Sequence, residues 1–537
     1  MPAGRHVSAP DPEATRPPTA ATSPRKVMAS ASWSKRGLPL TAVVVILGVV
    51  AYLDIGKPWI SKPSVSSSTV AVNAAPAAFT PPPHSIAVLP FVNLSGDKDQ
   101  EYFSEGLTEE LLNSLTEING LQVSGRTSAF SFQGKDADVG AIARKLNVGA
   151  ILEGSVRRSG HTVRITVQLI NAVTGFEVWS RSYDRNLRDV LKLQTEIATA
   201  VADSLKVALL GDIAAKIELG GTRNAAAFNA YLRASSSFQA VREGNEIPAA
   251  IAEYTDAIHL DPSYALAFAD RSIALTSYAG YAATGAAVRE SLVKAEADAR
   301  RAIALAPELA EAHLALAYAS LATLDFAQAN TEYERALVLA PGKAEVLRES
   351  GVFAASMGHF DEAVAATRRA VVLDPLDPRS YEALGIELYA ARRYKEAAKA
   401  YTESISLNPN YKLTYGRRGL AFYEADELGS ARTSCETQPN NYLSQVCLAV
   451  VYDKLGRHAD AQAELAKMIA SLGDAGSSQY ATVYAQWGDR SKALEWLDTA
   501  MRVRDPGLIS LKTDPLLDPV RQEPRFQAIL RELKFPQ

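Results

Sequence analysis

The chain has 537 residues, of which 47% are apolar and 22% are charged, and its formal net charge is -4. That composition predicts a folded protein with room for more than one domain and excludes a disordered chain. The first 36 residues carry six Lys or Arg against Asp11 and Glu13, so the rest of the chain is acidic. Because nucleic acid requires a basic face, we expect no nucleic-acid partner.

A long apolar run near the N-terminus predicts a membrane anchor. No residue from Leu38 to Leu53 is charged, and residues 38–55 are just long enough for a helix that crosses a bilayer. The alternatives are a buried core helix and a cleaved signal peptide, although no small-residue cleavage site follows closely. Basic residues precede the run, so we expect residues 1–37 to be a solvated cytoplasmic tail and everything beyond Lys57 to lie outside.

The next segments predict a linker and a compact α/β domain. Residues 56–84 are rich in Pro, Ser and Ala, which is typical of a linker. Order resumes at Ser85 with an apolar strand, SIAVLPF, and then leucines at helical spacing in DQEYFSEGLTEELLNSLTEI. Further on, apolar and polar residues alternate in three predicted strands separated by the turns RSGH and AVTGF. We expect residues 85–210 to form the domain, closed by a helix from about Arg188 to Leu210.

Three stretches of this region carry motifs of a known family. Their sequences are IAVLPFVNLSGDKDQEYFSEGLTEELLNSL, VSGRTSAFSFQGK and GAILEGSVRRSGHTVRITVQLINAVTGFEVWSRSYDR. Together they resemble the bacterial TolB-like N-terminal domain. In that family the domain commonly lies just outside the membrane, ahead of tetratricopeptide repeats, and is often fused on the cytoplasmic side to an adenylate cyclase or a winged-helix DNA-binding domain. The resemblance implies a fold and a location in the bacterial envelope, and it implies no agreed ligand.

The second half of the chain has a period of its own. Similar apolar segments end in proline at a spacing of 34 residues, at Pro307, Pro341, Pro375 and Pro409. This period is typical of tetratricopeptide repeats, in which each unit is a pair of helices. In the unit that ends at Pro409, the small residues Gly385 and Ala397 are expected where two helices approach, and Tyr401 is expected to fill the space between neighbours.

The ends of the array are less regular. The interval from Pro262 to Pro307 is 45 residues, which predicts an insertion, and the unit that ends at Pro439 is shortened. We expect about eight helical pairs within residues 225–506. Residues 507–537 are predicted to be a capping segment, because a solenoid must cover its last apolar face. The predicted fold is an α/β TolB-like domain followed by an all-α tetratricopeptide superhelix, with one N-terminal transmembrane helix.

In tetratricopeptide proteins the first helices of the units form a concave wall that binds peptides. The family's groove positions fall here on Glu311, Tyr318, Glu345, Arg348, Arg379, Glu382, Tyr389, Tyr423 and Glu424. Each residue alone is more typical of a solvated face, whereas as a set they are suited to an extended peptide. Basic and amide residues of the carboxylate-clamp type are absent at these positions, so capture of a chaperone C-terminus is not expected.

The two cysteines, Cys435 and Cys447, lie in neighbouring predicted helices. Such helices can bring two Cα atoms within the ~4.4 to 6.8 Å that a disulfide requires. The alternative is a pair of small buried thiols. Because disulfides persist outside the cytoplasm and are rare within it, we expect an oxidised pair if residues 38–55 anchor the chain with its C-terminus outside.

The sequence has no pattern typical of an enzyme. Its seven histidines are scattered without an HExxH motif, and no third metal ligand lies near His161 or His359. The glycine and lysine of GRTSAFSFQGKD have the wrong spacing for a phosphate loop. A cyclase would need its own catalytic domain, and the predicted segments use the whole chain. We therefore expect no enzyme activity, no catalytic residue, no cofactor and no metal.

These features predict a membrane-anchored interaction scaffold in the bacterial inner membrane, with its C-terminal domains in the periplasm. Its repeats would bind an extended segment of an envelope protein. The alternative is a ligand sensor derived from cyclase-type receptors, which would signal to a separate cytoplasmic effector. A hydrolase or cyclase is a third class. Both main hypotheses leave open the identity of the partner and of any small ligand.

Overall fold

The computed structural model describes residues 79–135, 137–209, 213–239, 247–281 and 286–536. The predicted tail (1–37), the predicted membrane span (38–55) and residues 56–78 of the predicted linker lie outside the described residues. Within the described ranges, no helix is long and apolar enough to cross a membrane.

A mixed β-sheet forms the centre of the α/β region. Its strands are β1 (Ser85–Val88), β2 (Val92–Asn93), β3 (Gln122–Val123), β4 (Ala150–Ser159), β5 (Thr162–Asn171) and β6 (Glu177–Asn186). Their order is β3-β1-β4-β5-β6, with β2 beside β4. β1 is parallel to β3 and β4, whereas β4, β5 and β6 form an antiparallel meander. β6 is therefore an edge strand.

Helices cover both faces of this sheet. They are α1 (Glu101–Thr116), α2 (Arg126–Phe130), α3 (Val139–Leu146) and α4 (Val190–Ser204). As the alternation of β5 predicts, Val163, Ile165 and Val167 are fully buried, in one core with α1 and α4. α3 contributes to a separate core on the other face. The closing helix, α4, is shorter than predicted because the chain leaves it through Lys206, which has a left-handed φ of 57°.

The rest of the described chain is almost entirely helical. A short helix, α5 (Ile213–Glu218), precedes eight helical pairs in the described ranges. The pairs, in chain order, are α6 (Ala225–Gln239) and α7 (Ile247–Leu260); α8 (Ala265–Tyr281) and α9 (Ala286–Leu305); α10 (Ala310–Ala322) and α11 (Phe326–Leu339); α12 (Ala344–Met357) and α13 (Phe360–Leu373); α14 (Pro378–Ala390) and α15 (Tyr394–Leu407); α16 (Lys412–Glu424) and α17 (Leu428–Thr437); α18 (Tyr442–Lys454) and α19 (His458–Leu472); and α20 (Ser477–Gln486) and α21 (Arg490–Val503).

The pair α14–α15 shows why the repeating residues form this fold. Tyr401 of α15 is almost fully buried and its ring lies directly against Gly385 of α14, where a Cβ would approach the ring Cζ within 2.8 Å. Ala397 is fully buried at the same contact. α15 ends at Leu407, before Pro409, because proline disfavours helix at the residue that precedes it. Small residues and one large ring thus set how closely the two helices pack.

The C-terminal segment (residues 507–536) is more than a cap on the last pair. It ends with α22 (Pro524–Leu533), and its fully buried side chains include Leu508, Val520 and Phe526. They share one core with α20 and α21 and also with Phe353 of α12. The segment therefore reaches back from the last pair to the middle of the array.

Candidate functional site

The nine predicted groove residues lie on the first helices of four consecutive pairs. Glu311 and Tyr318 are on α10, Glu345 and Arg348 on α12, and the others on α14 and α16. Of these first helices, α14 contacts both α12 and α16, and we call the surface that carries the nine residues the concave wall. Two other parts of the same chain contact this wall or its edge, so the nine residues do not form one open groove.

The α/β region contacts the repeats at two places. At the first, the Gly125 N–H donates to Leu373 O at 2.7 Å, and the Ser128 N–H donates to Asp374 Oδ1 at 2.7 Å. Gly125 has no space for a side chain because Asp374 lies directly against it. Arg379, a predicted groove residue, donates to Thr127 Oγ1 at 3.1 Å. The turn before α14 therefore holds the start of α2.

At the second place, α1 packs on α6. A Cβ at Gly106 would lie 2.8 Å from Leu232 Cδ2, so the two helices approach closely only because residue 106 is glycine. The Tyr102 hydroxyl and Arg158 Nη1 both donate to Asn229 Oδ1 at 2.8 Å. Together the two contacts fix the α/β region against the first half of the array.

A cavity of about 170 Å³ remains between the α/β region and the wall. We call it the junction cavity. Its walls come from α1, the start of α2 and the loop before it, and the helices α6, α7, α8, α10, α12 and α14. The predicted residues that line it are Glu311, Glu345, Arg348 and Arg379. Residues that the sequence did not indicate also line it, namely Glu109, Arg126, Tyr231, Asp270 and Lys343.

Most cations of the junction cavity are paired within the chain. Lys343 Nζ lies 2.5 Å from Glu311 Oε1, and Arg126 Nε lies 2.9 Å from Glu109 Oε2. Burial opposes ionisation of Glu311, yet its pKa is lowered because Lys343 lies beside it. Outside the cavity lining, Asp377 is fully buried and receives ion pairs from both Arg348 and Arg379.

Two carboxyls near the cavity lack such a pairing. Asp270 accepts a hydrogen bond from the Tyr231 hydroxyl at 2.9 Å. Burial raises the pKa of Asp270 to about 7, and burial together with Glu109 raises the pKa of Glu110 to about 8. In the described part of the chain, no Lys or Arg forms an ion pair with either carboxyl. Asp270, which lines the cavity, would therefore become anionic if a cation entered.

The other half of the wall, which includes Tyr389, Tyr423 and Glu424, is covered by other parts of the chain, and we call it the filled half. The Tyr423 hydroxyl donates to Gln486 Oε1 at 2.9 Å, and Gln486 Nε2 donates to Leu516 O of the C-terminal segment at 2.7 Å. Burial and the nearby Asp514 raise the pKa of Glu424 to about 7. Tyr389 lies beside Tyr394 at 5.7 Å between ring centroids. These predicted groove residues are therefore engaged by other parts of the same chain.

Two further predicted residues have partners on neighbouring helices. Tyr318 is edge-on to Tyr333 at 6.4 Å between ring centroids. Glu382 accepts a hydrogen bond from Thr414 Oγ1 at 2.8 Å and pairs with Arg417 at 3.3 Å. Tyr318 therefore helps to hold the two helices of its own pair together, and Glu382 helps to hold two successive pairs together.

Cys435 and Cys447 form a disulfide in the structure, with their Cα atoms 6.4 Å apart. Gly419 packs directly against the disulfide, where a side chain has no space. Among the described residues, no group of three or more His, Cys, Asp or Glu could hold a metal ion.

Known proteins resemble this chain in parts. The tetratricopeptide repeat model matches residues 378–411, which is the α14–α15 unit, so the predicted repeat type is confirmed. A Rhizobium meliloti (strain 1021) protein named "Putative adenylate cyclase 3" is 37% identical over 209 residues, which are 37% of this chain and 35% of that protein. The match thus covers little more than a third of that relative.

Solved structures of repeat proteins cover part of the chain. PilF from Pseudomonas aeruginosa is 22% identical with a TM-score of 0.30, over 38% of this chain and 92% of that chain. YrrB, described as a TPR protein with an unusual peptide-binding site, is 17% identical with a TM-score of 0.27, over 36% and 95%. TM-scores this low do not show that the overall architecture is shared. The family match and the helical pairs show that this chain carries a tetratricopeptide-repeat interaction scaffold.

Proposed function

We propose that the chain is a membrane-anchored interaction scaffold of the bacterial envelope, with residues 38–55 as its transmembrane helix. The apolar run and the basic residues before it support the anchor and a cytoplasmic N-terminus. The disulfide between Cys435 and Cys447 supports a periplasmic position for the repeats, because such bonds persist outside the cytoplasm. The TolB-like motifs would then make residues 85–210 the first periplasmic module along the chain.

We infer that the partner binds at the junction cavity rather than along the whole concave wall. One observation carries this inference: the α/β region and the C-terminal segment contact the predicted groove residues and leave a charged cavity of about 170 Å³. Such a space suits one side chain or the end of an extended segment. The partner would thus be held by a single inserted group, with the rest of its contacts outside the cavity.

The chemistry of the cavity favours a cationic group on the partner. Asp270 and Glu110 have no ion pair with a described Lys or Arg, and burial keeps their pKa values near 7 and 8. An opposite charge close to a buried carboxyl favours its ionised form. A lysine or arginine side chain, or a free amine, would supply that charge and donate to the Asp270 carboxylate alongside the Tyr231 hydroxyl.

A sensor derived from cyclase-type receptors is the second candidate, and two observations favour it. The walls of the junction cavity come from both the α/β region and the repeats, so a ligand would contact both modules. Its affinity would differ between docked and separated arrangements, and the ligand would shift that equilibrium. The match to a protein named as an adenylate cyclase supports descent from such receptors, with the cytoplasmic tail signalling to a separate effector.

Crosslinking in intact cells, followed by co-purification of the full chain, tests these proposals. The wild type is compared with Asp270→Asn, which keeps the shape of the carboxyl but removes its charge. The matched control is Glu290→Gln, an exposed carboxyl on α9. We expect Asp270→Asn to reduce partner capture about tenfold and Glu290→Gln to leave it unchanged.

Three outcomes distinguish the candidates. A periplasmic partner lost only in Asp270→Asn supports the scaffold with its cavity site. A cytoplasmic effector whose recovery depends on Asp270 supports the sensor. Equal capture by all three chains, with equal thermal unfolding, would show that the junction cavity is not the binding site.

A further inference from the structure

The outer edge of β6 is a surface separate from the junction cavity. The Leu187 N–H donates to His161 O, and the register pairs Val163 with Arg185 and Ile165 with Tyr183. In an antiparallel ladder, alternate residues bond to the neighbouring strand. The N–H and C=O groups of Ser180 and Ser182 therefore point away from β5. Among the described residues, no hydrogen bond engages these backbone groups, and both serines are exposed.

A groove runs beside this edge, between β6 and α4. Its α4 wall includes Asp203 and also Glu196, which pairs with Arg185. Its β6 wall contains Trp179, Arg181 and Tyr183, which share one face of the strand because side chains alternate. The Trp179 indole N–H and the Tyr183 hydroxyl are buried and have no hydrogen-bond partner among the described residues. Tyr183 as a whole is only 8% exposed. A buried donor without a partner is unfavourable, so an acceptor in this groove would be favoured.

Arg181 adds a charge to these two donors. Its guanidinium lies 5.8 Å from the centroid of the Trp179 ring, and it forms no ion pair within the described part of the chain. The neighbouring arginine, Arg185, pairs with Glu196 at 2.8 Å. On β6 the groove therefore presents three donor groups in a row, one of them cationic, and a carboxylate accepts hydrogen bonds from each of these donor types.

The start of β6 is unusually apolar for an exposed edge. Phe176 is 77% exposed, Val173 is 55% exposed and Val178 is 47% exposed. Edge strands commonly carry charges that discourage pairing with another chain. Here Asp184 and Arg185 are already neutralised by Arg164 and Glu196. The exposed Glu177 lies beside the apolar side chains at the start of the strand, and Arg181 is the cation left in the groove to select a partner.

We propose that β6 accepts an extended acidic segment of another protein as an added strand. The backbone of that segment pairs with Ser180 and Ser182, which supplies affinity that is independent of sequence. One Asp or Glu of the segment lies in the groove against Arg181, Trp179 and Tyr183. An apolar residue of the segment packs at the start of the strand. Selectivity for acidic over basic strands comes from Arg181.

Fluorescence anisotropy with the full chain in lipid nanodiscs tests this proposal. The probe is a short labelled peptide of alternating valine and threonine with one central glutamate, and the comparison peptide has lysine at the centre. We expect the glutamate peptide to bind at least about tenfold more tightly. N-methylation of the probe amides that face β6 should abolish binding, whereas methylation of the alternate amides should leave it unchanged, because only one set pairs with an edge.

Two variants of the chain locate the site. Arg181→Glu should exchange the preference, so that the lysine peptide binds and the glutamate peptide does not. The control is Arg157→Glu, an exposed arginine on β4, which should keep the wild-type preference. Equal thermal unfolding of both variants shows that each is folded.

Several results would overturn the proposal. Equal affinity for the two peptides would remove the acidic specificity, and binding that is insensitive to N-methylation would exclude strand addition. Sedimentation tests whether a second copy of the chain occupies this edge. If no peptide binds and the full chain forms a dimer that Arg181→Glu leaves intact, a second copy covers the edge. Peptide binding only after removal of residues 56–78 would show that the chain's own linker occupies it.

Discussion

The two halves of the concave wall differ in what covers them. In the first half, the α/β region docks through Gly125 and Ser128 and leaves the junction cavity, where Asp270 has no ion pair with a described residue. In the second half, the C-terminal segment fills the wall, and Tyr423 is satisfied through Gln486. Equivalent positions on successive repeats therefore have different roles, because the element that covers each position decides whether space remains for a ligand.

The largest effect should come from opening the filled half. Phe526→Ala removes a fully buried ring from the core that the C-terminal segment shares with α12 and α21. Loss of a buried phenylalanine costs about 3 to 5 kcal/mol. Urea unfolding measures this change, and Phe176→Ala, at a side chain that is 77% exposed, should change the free energy of unfolding by less than about 0.5 kcal/mol. Equal effects would mean that the segment is not part of the core.

The disulfide provides the next test of the filled half. Cys435→Ala combined with Cys447→Ala removes a cross-link that closes a short loop, and we expect a loss of about 2 to 3 kcal/mol. Urea unfolding with and without a reductant measures it. Reductant should destabilise the wild type and leave the double variant unchanged. A wild type that does not respond to reductant would contradict an oxidised pair.

A smaller effect is expected where the α/β region docks. Gly125→Ala places a Cβ against the side chain of Asp374, and overpacking of this kind costs about 1 to 3 kcal/mol. Gly280→Ala is the matched control, because nothing lies within 4 Å of its added Cβ and alanine favours helix over glycine. Hydrogen exchange should become faster in α2 for Gly125→Ala alone. Unchanged exchange would mean that this contact does not hold the domain.

The smallest effect should be a pH dependence in the first half. Burial raises the pKa of Asp270 to about 7, whereas an unfolded aspartate has a pKa of about 3.9. The folded chain thus keeps a proton that the unfolded chain loses. This contribution to stability is present below the unfolded pKa and is lost as the pH rises through about 7. Unfolding between pH 5 and pH 8 should show a smaller decline in Asp270→Asn.

Glu424→Gln gives the corresponding measurement in the filled half, where burial and Asp514 raise the pKa of Glu424 to about 7. The stability of the Glu424→Gln variant should likewise decline less with rising pH than that of the wild type. A saturating amine such as lysine methyl ester should reduce the decline that depends on Asp270 and leave the decline that depends on Glu424. An amine that alters both equally would contradict a cation site confined to the junction cavity.

Several features of the fold could be predicted from local patterns. The alternation of Val163, Ile165 and Val167 predicted a buried face of a strand, and these residues are fully buried on β5. The 34-residue spacing predicted the repeat type, which the family match at residues 378–411 confirms. Patterns of this kind succeed because the period of a strand or a helical pair is a property of neighbouring residues.

The candidate site could be predicted only in part. Arg348 and Arg379 were indicated by their places in the repeats, and both line the junction cavity. Asp270 and Lys343 were missed because, in the sequence, each is typical of a solvated helix or turn. Only the folded chain shows that α1 covers them. No sequence pattern indicates that the Ser128 N–H meets Asp374, since the two residues are 246 positions apart.

The sequence by itself therefore determined the helical pairs, the strands and the segments from which the domains are built, because those depend on spacing between neighbours. The tertiary structure alone decided which part of the wall is open. Gly125 and Gly106 allow the α/β region to approach the repeats, and the buried Phe526 holds the C-terminal segment on them. That docking also decides whether a carboxyl such as Asp270 is solvated or is buried without a cation. Its charge then follows from its burial and not from its residue type.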